Sequence, residues 1–266
     1  MFADLHIHSW YSDGTMTPKE IIEKAKTENI TLISISDHEY VDAYLNSENF
    51  EDLSGIKIIP GAEIIALMDD KEYHILAYDF DMHNKPLREL MVYNRSILDE
   101  KGSKLIENMA GDHASVISMR EFSGYERNRR NGGWGSIDYL KNKGLVKSWP
   151  DYVAFAKKYP VELNKNFLHA GEVIKIIQNA GGYAVLAHPC DNTEAAVKFL
   201  NMGIDGFECY YPAHTEQETE FFVKFCREHD LMITAGGDEH GSFGEAGVGI
   251  GVIKIKIEDL NLKGLK

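Results

Sequence analysis

Residues 4–38 read DLHIHSWYSDGTMTPKEIIEKAKTENITLISISDH, a complete strand–helix–strand unit. Phe2 to Ile7 is a short apolar run, and Thr31 to Ser36 is another. Between them, TPKEIIEKAKTEN has helical periodicity: Thr17 is placed as N-cap, Pro18 takes the first helical position and Glu20 completes a capping box. His6 and His8 stand two residues apart, so an extended strand projects both from one face. Asp13 follows in the turn, and Asp37 and His38 close the second run. Metal-binding side chain types thus gather where apolar strands stop.

The pattern continues along the chain. Apolar runs recur at Ile56 to Ile64, Tyr73 to Tyr78, Tyr183 to Ala187, Gly206 to Cys209, Leu231 to Ala235 and Val248 to Ile257. HAGEVIKIIQNAGG and EQETEFFVKFCREHD are helical in character, the first with a glycine stop. Strands alternating with helices predict an α/β fold with a mainly parallel sheet, either open and doubly wound or closed as a barrel. From 86 to 167 the rhythm breaks into helical segments joined by the polar stretch GYERNRRNGGWG. The expected organisation is therefore a core formed by 1–85 and 168–266, with 86–167 as a helical insertion covering one end of it.

Polar residues should be scarce in buried strands, yet nearly every run is bounded by histidine or a carboxylate. Glu63 closes IKIIPGAE, His74 opens HILAY, His188 ends YAVLAHP, and Asp238 and His240 follow LMITAGG. In parallel α/β folds the functional site lies at the carboxyl ends of the strands, where residues distant in sequence converge. Imidazoles and carboxylates together suit zinc, iron(II) and manganese, and their number exceeds what one ion can accept. A single histidine on an apolar strand has a plainer reading as a hydrogen-bonded core residue. Recurrence decides otherwise: six of the eleven histidines hold such positions. His83, His113, His169, His214 and His229 do not, and His229 suits a helix C-terminus.

With 266 residues, 44% of them hydrophobic and 26% charged, the chain has enough apolar material for one large core. No apolar run reaches the length that crosses a bilayer, and the N-terminal residues lack a signal-peptide pattern, so a cytoplasmic protein with no membrane partner is expected. Cys190, Cys209 and Cys226 show no C-x-x-C spacing and are expected as reduced core residues. A net charge of −14 argues against binding long nucleic acid, although carboxylates that hold cations lower the working charge.

The ordered set DLHIHSWYSDG, ISDHE, GAEI, HILAY, LAHP and GGDEH resembles the PHP family, the polymerase and histidinol phosphatase superfamily of metal-dependent phosphoesterases. The resemblance implies a distorted (βα)7 TIM-like barrel with a site for three divalent ions, Mn2+, Fe2+ or Zn2+. It implies His6, His8, Glu63 and Asp238 around one ion, Glu63 bridging to a second held by His74 and His188, and Asp13, His38 and His240 holding the third. Asp37 is expected to orient a ligand. Glu63 and Asp238 would be catalytic, with a metal-bridging hydroxide as nucleophile and His214 as proton donor near the substrate. The SDG form resembles the branch of nucleotide phosphatases and small-RNA exonucleases. That branch often has an Arg-x-His segment where this chain reads NRRNGGWGSIDYL, so Arg129 and Arg130 are either substrate-binding or solvated surface residues. The expected function is hydrolysis of a small phosphomonoester, a nucleotide or another phosphorylated metabolite. Exonuclease action on short oligonucleotides, histidinol phosphatase activity and a non-catalytic metal-binding module are the alternatives.

Overall fold

A computed structural model describes residues 1–266 apart from 51, 52, 54, 191, 192, 242–248 and 266, and apart from the side chain of Ser47. The opening unit forms as the sequence predicts. Strand β1 (Phe2–Ile7) leads into helix α1 (Pro18–Thr27), and β2 (Ile30–Ile35) returns parallel to β1. Thr17 and Glu20 make both bonds of the capping box. One face of α1, with Ile21, Ile22 and Ala25, packs on Ile7, Ile33 and Ile35. The short helix α2 (Asp42–Leu45) and strand β3 (Lys57–Ile58) follow.

Then the chain departs from a strict strand–helix alternation. Strand β4 (Gly61–Met68) and β5 (Lys71–Tyr78) form an antiparallel hairpin, and β5 is also antiparallel to β6 (Tyr183–Leu186). The cause is the two-residue turn Asp69–Asp70, with φ of 51° and 59°. Positive φ at both central residues is the mirror-image turn that matches strand twist, and aspartate tolerates it. With no crossover helix the chain must reverse, so the expected mainly parallel sheet is interrupted here. The run Ile56 to Ile64 also divides, because Pro60 lies between β3 and β4, and β4 continues past Glu63 rather than ending there.

Helix α3 (Lys85–Ala110) starts the helical segment, capped by Asn84, and α4 (Met119–Phe122), α5 (Gly135–Asn142) and α6 (Trp149–Lys158) complete it. Its residues share a cluster of their own around Leu105, Ile106, Met109, Tyr139 and Leu140. Gly102, inside α3, permits the close approach of α5: a Cβ there would lie 2.6 Å from the Ser136 Oγ and 2.9 Å from its Cβ. Helix α7 (Ala170–Asn179) is capped by His169, whose Nδ1 accepts from the Gly171 amide at 3.1 Å. Strands β6, β7 (Gly206–Tyr210) and β8 (Met232–Ala235) are mutually parallel and alternate with α8 (Thr193–Met202) and α9 (Glu216–Glu228). Of the expected strand Val248 to Ile257, only β9 (Ile255–Lys256) is extended, while Val248 lies outside the described residues.

The strands make two sheets, ordered β3-β2-β1-β9 and β4-β5-β6-β7-β8. Backbone bonds join their edges twice. His8 N donates to Glu239 O at 2.8 Å and Asp238 N to His6 O at 2.8 Å, while Glu39 N donates to Glu63 O at 2.9 Å and Glu63 N to Asp37 O at 3.1 Å. Ala3, Leu5, Leu76, Tyr78, Val185 and Met232 fill the space between the sheets, and a larger core lies under α7, α8 and α9. Cys209 and Cys226 are free and buried, as expected, whereas Cys190 is only partly buried, in the turn after His188. Among the described residues, no helix is long and apolar enough to cross a membrane.

Gly102→Val tests the α3–α5 contact. Overpacking of about 1–3 kcal/mol should outweigh the roughly 0.5 kcal/mol gained in helix propensity, so the urea midpoint should fall. An unchanged or higher midpoint would place α5 farther from α3.

Candidate metal centre

The register of β1 against β2 shifts between Asp4 and Ile7. Such a bulge re-aims side chains. Ile7 packs outward against α1, and His6 and His8 lie fully buried on the other face, their Nε2 atoms 3.1 Å apart. The two joins between the sheets deliver the carboxylates. Asp238, at φ 51°, follows β8 and hydrogen-bonds to the His6 backbone, and Glu63 on β4 is held beside His38. Because β5 runs antiparallel to β4, His74 enters at the same level from the middle of its strand, opposite Ile65, and not from a strand start as the sequence suggests.

Four donors converge. His6 Nε2 and His8 Nε2 each lie 3.2 to 3.3 Å from Glu63 Oε2 and from Asp238 Oδ1. The other oxygen, Glu63 Oε1, faces His74 Nδ1 at 2.9 Å and His188 Nε2 at 3.2 Å. His38 Nδ1 lies 3.0 Å from Glu63 Oε2, while Asp13 Oδ2 is 3.4 Å from His240 Nε2 and 3.9 Å from His38 Nε2. Three overlapping groups have the spacing to hold a metal ion: His8, Asp13, His38 and His240; His6, His8 and Asp238; and His38, Glu63 and His74. Neutral imidazole has one lone pair, so His8 and His38, which fall in two groups each, can serve only one.

The donor set fits cations better than it fits itself. Glu63 Oε2, Asp13 Oδ1 and His38 Nδ1 are buried yet have no hydrogen-bond partner, although polar atoms surround them. Leaving such groups unpaired costs roughly 1–3 kcal/mol each. Separations of 3.1 to 3.3 Å are those of donors arranged around a common ion, about 2.0–2.2 Å from each. Without cations, the imidazoles must balance the carboxylates. Burial pulls His74 and His240 down, but Glu63 lifts His74 to about 10 and Asp13 with Asp238 lifts His240 to about 10. Burial also opposes ionisation of Asp13, Glu63 and Asp238, yet the surrounding imidazoles hold all three below the usual range. His38 is depressed to about 3 by burial and by neighbouring imidazoles, and stays neutral.

A supporting layer holds these donors. Glu208 on β7 lies 3.0 Å from His6 Nδ1 and accepts from the His188 amide at 2.7 Å. Its partner on Nδ1 leaves Nε2 of His6 free as a donor atom. Asp37 accepts from Ser9 Oγ at 2.6 Å and Ser12 Oγ at 2.5 Å, and Ser12 Oγ is 3.5 Å from His8 Nδ1. It thus acts on a ligand through the 9–14 turn rather than by touching it. Tyr211 donates to Asp238 Oδ2 at 3.2 Å. Glu208 and Tyr211 were not singled out from the sequence. A glutamate inside the apolar run GFECY was the signal for the first.

Other expected residues lie elsewhere. The Arg129 guanidinium stacks over Tyr11 at 5.4 Å, and Arg130 over Trp10 at 5.0 Å with a 2.5 Å ion pair to Glu20. Both are exposed, and neither lines the cavity beside the cluster. In the same loop it is Arg127 that is partly buried, with Nε and Nη2 unpartnered. His214 is also outside the cavity wall. Its Nδ1 lies 3.1 Å from the Cys209 carbonyl, which turns the ring toward β7, and its Nε2 is buried without a partner.

Residues 4–166 match the PHP domain family. The chain is 25% identical to a 5'-3' exoribonuclease of Haemophilus influenzae, over 89% of each protein. It is 24% identical to a phosphoribosyl 1,2-cyclic phosphate 1,2-diphosphodiesterase of Eggerthella lenta, covering 92% of this chain and 96% of that one. A 3',5'-nucleoside bisphosphate phosphatase of Chromobacterium violaceum is also 24% identical, over 93% and 90%. A solved structure from Bifidobacterium adolescentis, assigned to the metal-dependent phosphoesterases, is 26% identical and superposes with a TM-score of 0.74 over 93% of this chain and 90% of that one.

Glu208→Gln should weaken metal affinity about 10- to 100-fold in competition with a chelator; unchanged affinity would remove Glu208 from the support of His6. A second expectation concerns protons. His74 and His240, raised from 6.5 to about 10, are protonated at pH 7 in the metal-free protein. Metal ligation requires neutral imidazole. Titration calorimetry in buffers of different ionisation enthalpy should therefore show proton release at pH 7 that fades above about pH 10. No release at pH 7 would mean that neither imidazolium is displaced.

Proposed function

The chain belongs to the PHP domain family, and from that premise we propose that it hydrolyses a small phosphomonoester at the cluster of His6, His8, Asp13, His38, Glu63, His74, His188, Asp238 and His240. It is a metal-dependent hydrolase of phosphate esters. The observation that carries this reading is Glu63: fully buried, with one oxygen turned to His6, His8 and His38 and the other to His74 and His188. A carboxylate so placed suits a bridge between two cations.

We assign His6, His8, Glu63 and Asp238 to one ion, Glu63 with His74 and His188 to a second, and Asp13, His38 and His240 to a third; manganese, iron(II) and zinc all suit these donors. Bound there, divalent ions supply acidified water near neutral pH and an electrophile for phosphoryl oxygens. The protein's part is to fix the donors. Glu208 orients His6 and Tyr211 orients Asp238, so the donors need little rearrangement when charge develops. No side-chain nucleophile is required. The two sheets, joined at both edges, are read as the seven-stranded distorted barrel of the family, with β1, β2, β4, β5, β6, β7 and β8 as staves. Residues 86–167 are read as an insertion whose Leu98, Lys101, Trp134, Trp149 and Tyr152 close the mouth over the cluster.

The covered cavity, about 360 Å3, favours a small substrate. A second reading, removal of nucleotides from the end of a short oligonucleotide, is favoured by the likeness to the Haemophilus influenzae exoribonuclease. Release of inorganic phosphate from mononucleotides and other phosphorylated metabolites, compared with shortening of oligonucleotides, separates the two when manganese, iron or zinc is returned to metal-free protein. Glu63→Ala should lower phosphate release by about 100- to 1000-fold, as the loss of one preorganised electrostatic group does, and should lower bound metal per chain. Turnover near that of the wild type in a folded variant would refute the bridging role.

A further inference from the structure

The helical segment touches the backbone beside the candidate metal ligands at two places, and both serve the same ion. Its loop 125–134 lies over the turn that carries Asp13. Gly133 N donates to the Asp13 carbonyl at 2.7 Å, and a left-handed φ of 72° at Gly133 lets the loop turn there. The guanidinium groups of Arg129 and Arg130 cover the Tyr11 and Trp10 rings of the same turn, and Arg130 Nη1 also donates to Thr15 O at 3.4 Å. The loop is built in its turn on Asp138, buried in the first turn of α5. Its carboxylate accepts from Tyr125 Oη at 2.9 Å, Asn128 N at 2.7 Å and Asn131 Nδ2 at 2.7 Å. The second place is beside His38. Asn94 of α3, fully buried, donates to Glu39 Oε1 and to Ile65 O, both at 2.9 Å, and Arg95 Nη1 donates to Glu39 O.

Two of the three donors assigned above to the third ion, Asp13 and His38, thus take their backbone positions partly from the helical segment. The donors of the other two ions lean on the strands: Glu208 of β7 holds His6 and the His188 amide, and Tyr211 holds Asp238. On that side the segment makes one part-exposed pair, Lys101 with Glu72 at 3.3 Å, and Glu72 lies 3.8 Å from His74 Nε2. Asp13 Oδ1 is buried without a partner, so the turn, rather than a bond to that oxygen, sets where the carboxylate stands. We propose that loop 125–134 is a clamp on the third cation position. Asp138 orders the loop, Arg129, Arg130 and Gly133 pin the turn that presents Asp13, and docking of the loop is coupled to occupancy at Asp13, His38 and His240 but not at the pair bridged by Glu63. This rests on the metal assignment above. Such coupling is reciprocal: what the docked loop adds to the affinity of the ion, the ion adds to the stability of the docked loop. Arg129, Arg130 and Asp138 are positioning residues in this role.

The test measures bound manganese per chain by equilibrium dialysis across a range of free Mn2+. It compares wild type with Arg129→Ala/Arg130→Ala, Arg129→Lys/Arg130→Lys and Asp138→Asn. A single exposed contact contributes little, so both arginines are changed together. The wild type should fill three positions. The alanine pair should weaken one of the three about tenfold, and Asp138→Asn should weaken the same one by about 10- to 100-fold, the worth of an outer support. The lysine pair, which keeps cations over both rings, should restore most of the loss. Anomalous diffraction from the alanine pair at limiting Mn2+ should lack the peak beside Asp13 and keep the others. Amide hydrogen exchange at Gly133 in the wild type should slow when Mn2+ is added. Should Asp138→Asn fail to fold, the two arginine variants, altered only at exposed positions, decide. Equal weakening of all three positions, or of none, overturns the proposal, as does exchange at Gly133 indifferent to Mn2+ or a wild type with no ion at Asp13. None of these measurements reads turnover, so failure of the phosphoesterase reading leaves them standing.

Discussion

The structure turns on the burial of one carboxylate, Glu63, among imidazoles, a charge that only opposite charge can balance. Glu63 is ionised and 1% exposed, and its Oε2 has imidazole nitrogens at 3.0 to 3.3 Å without a hydrogen bond to any of them. A buried carboxylate in that state is tolerated only when something of opposite charge occupies the space its neighbours point into. Asp13 Oδ1 and His38 Nδ1 are orphaned in the same way. Cations would pair the two carboxylate oxygens, and raised imidazoles balance charge in the metal-free protein.

The fold brings these groups together through a few local devices. The bulge in β1 points His6 and His8 away from the α1 face. The reversed strand β5 lets His74 reach the same level as residues that end other strands. His188 and Asp238, which follow β6 and β8, both have left-handed backbone, with φ of 28° and 51°. Strain of this sort concentrates where function demands it. The helical segment between β5 and β6 then supplies the facing wall of the cavity.

Much of this was legible because it is periodic or local. The capped helix α1, the i, i+2 pair at the end of β1 and the polar residues that follow β2, β6 and β8 are short-range patterns, and the structure reproduces them, whereas Glu63 and His74 lie inside their strands. The β4–β5 hairpin was less visible: Asp69–Asp70 is a turn signal, but weaker than Asn-Gly or Asp-Gly, and the strands around it read equally well as parallel. Glu208 was hidden by its apolar neighbours, and its importance comes from a contact with His6, 202 residues away. The aromatic wall was invisible for a similar reason. Trp134, Trp149 and Tyr152 meet only through the packing of α3, α5 and α6, which no spacing in the sequence encodes. Arg129 and Arg130 illustrate the converse, since Trp10, Tyr11 and Glu20 engage them instead.

Diffraction from crystals grown with manganese or zinc, recorded at the metal absorption edge, tests the central claim most directly. Anomalous peaks should fall among Glu63, Asp238, Asp13 and the six imidazoles, at least one of them within bonding distance of His6, His8 and Glu63 together. Density that shows the nine side chains intact and paired with one another, with no anomalous peak between them, would contradict the account.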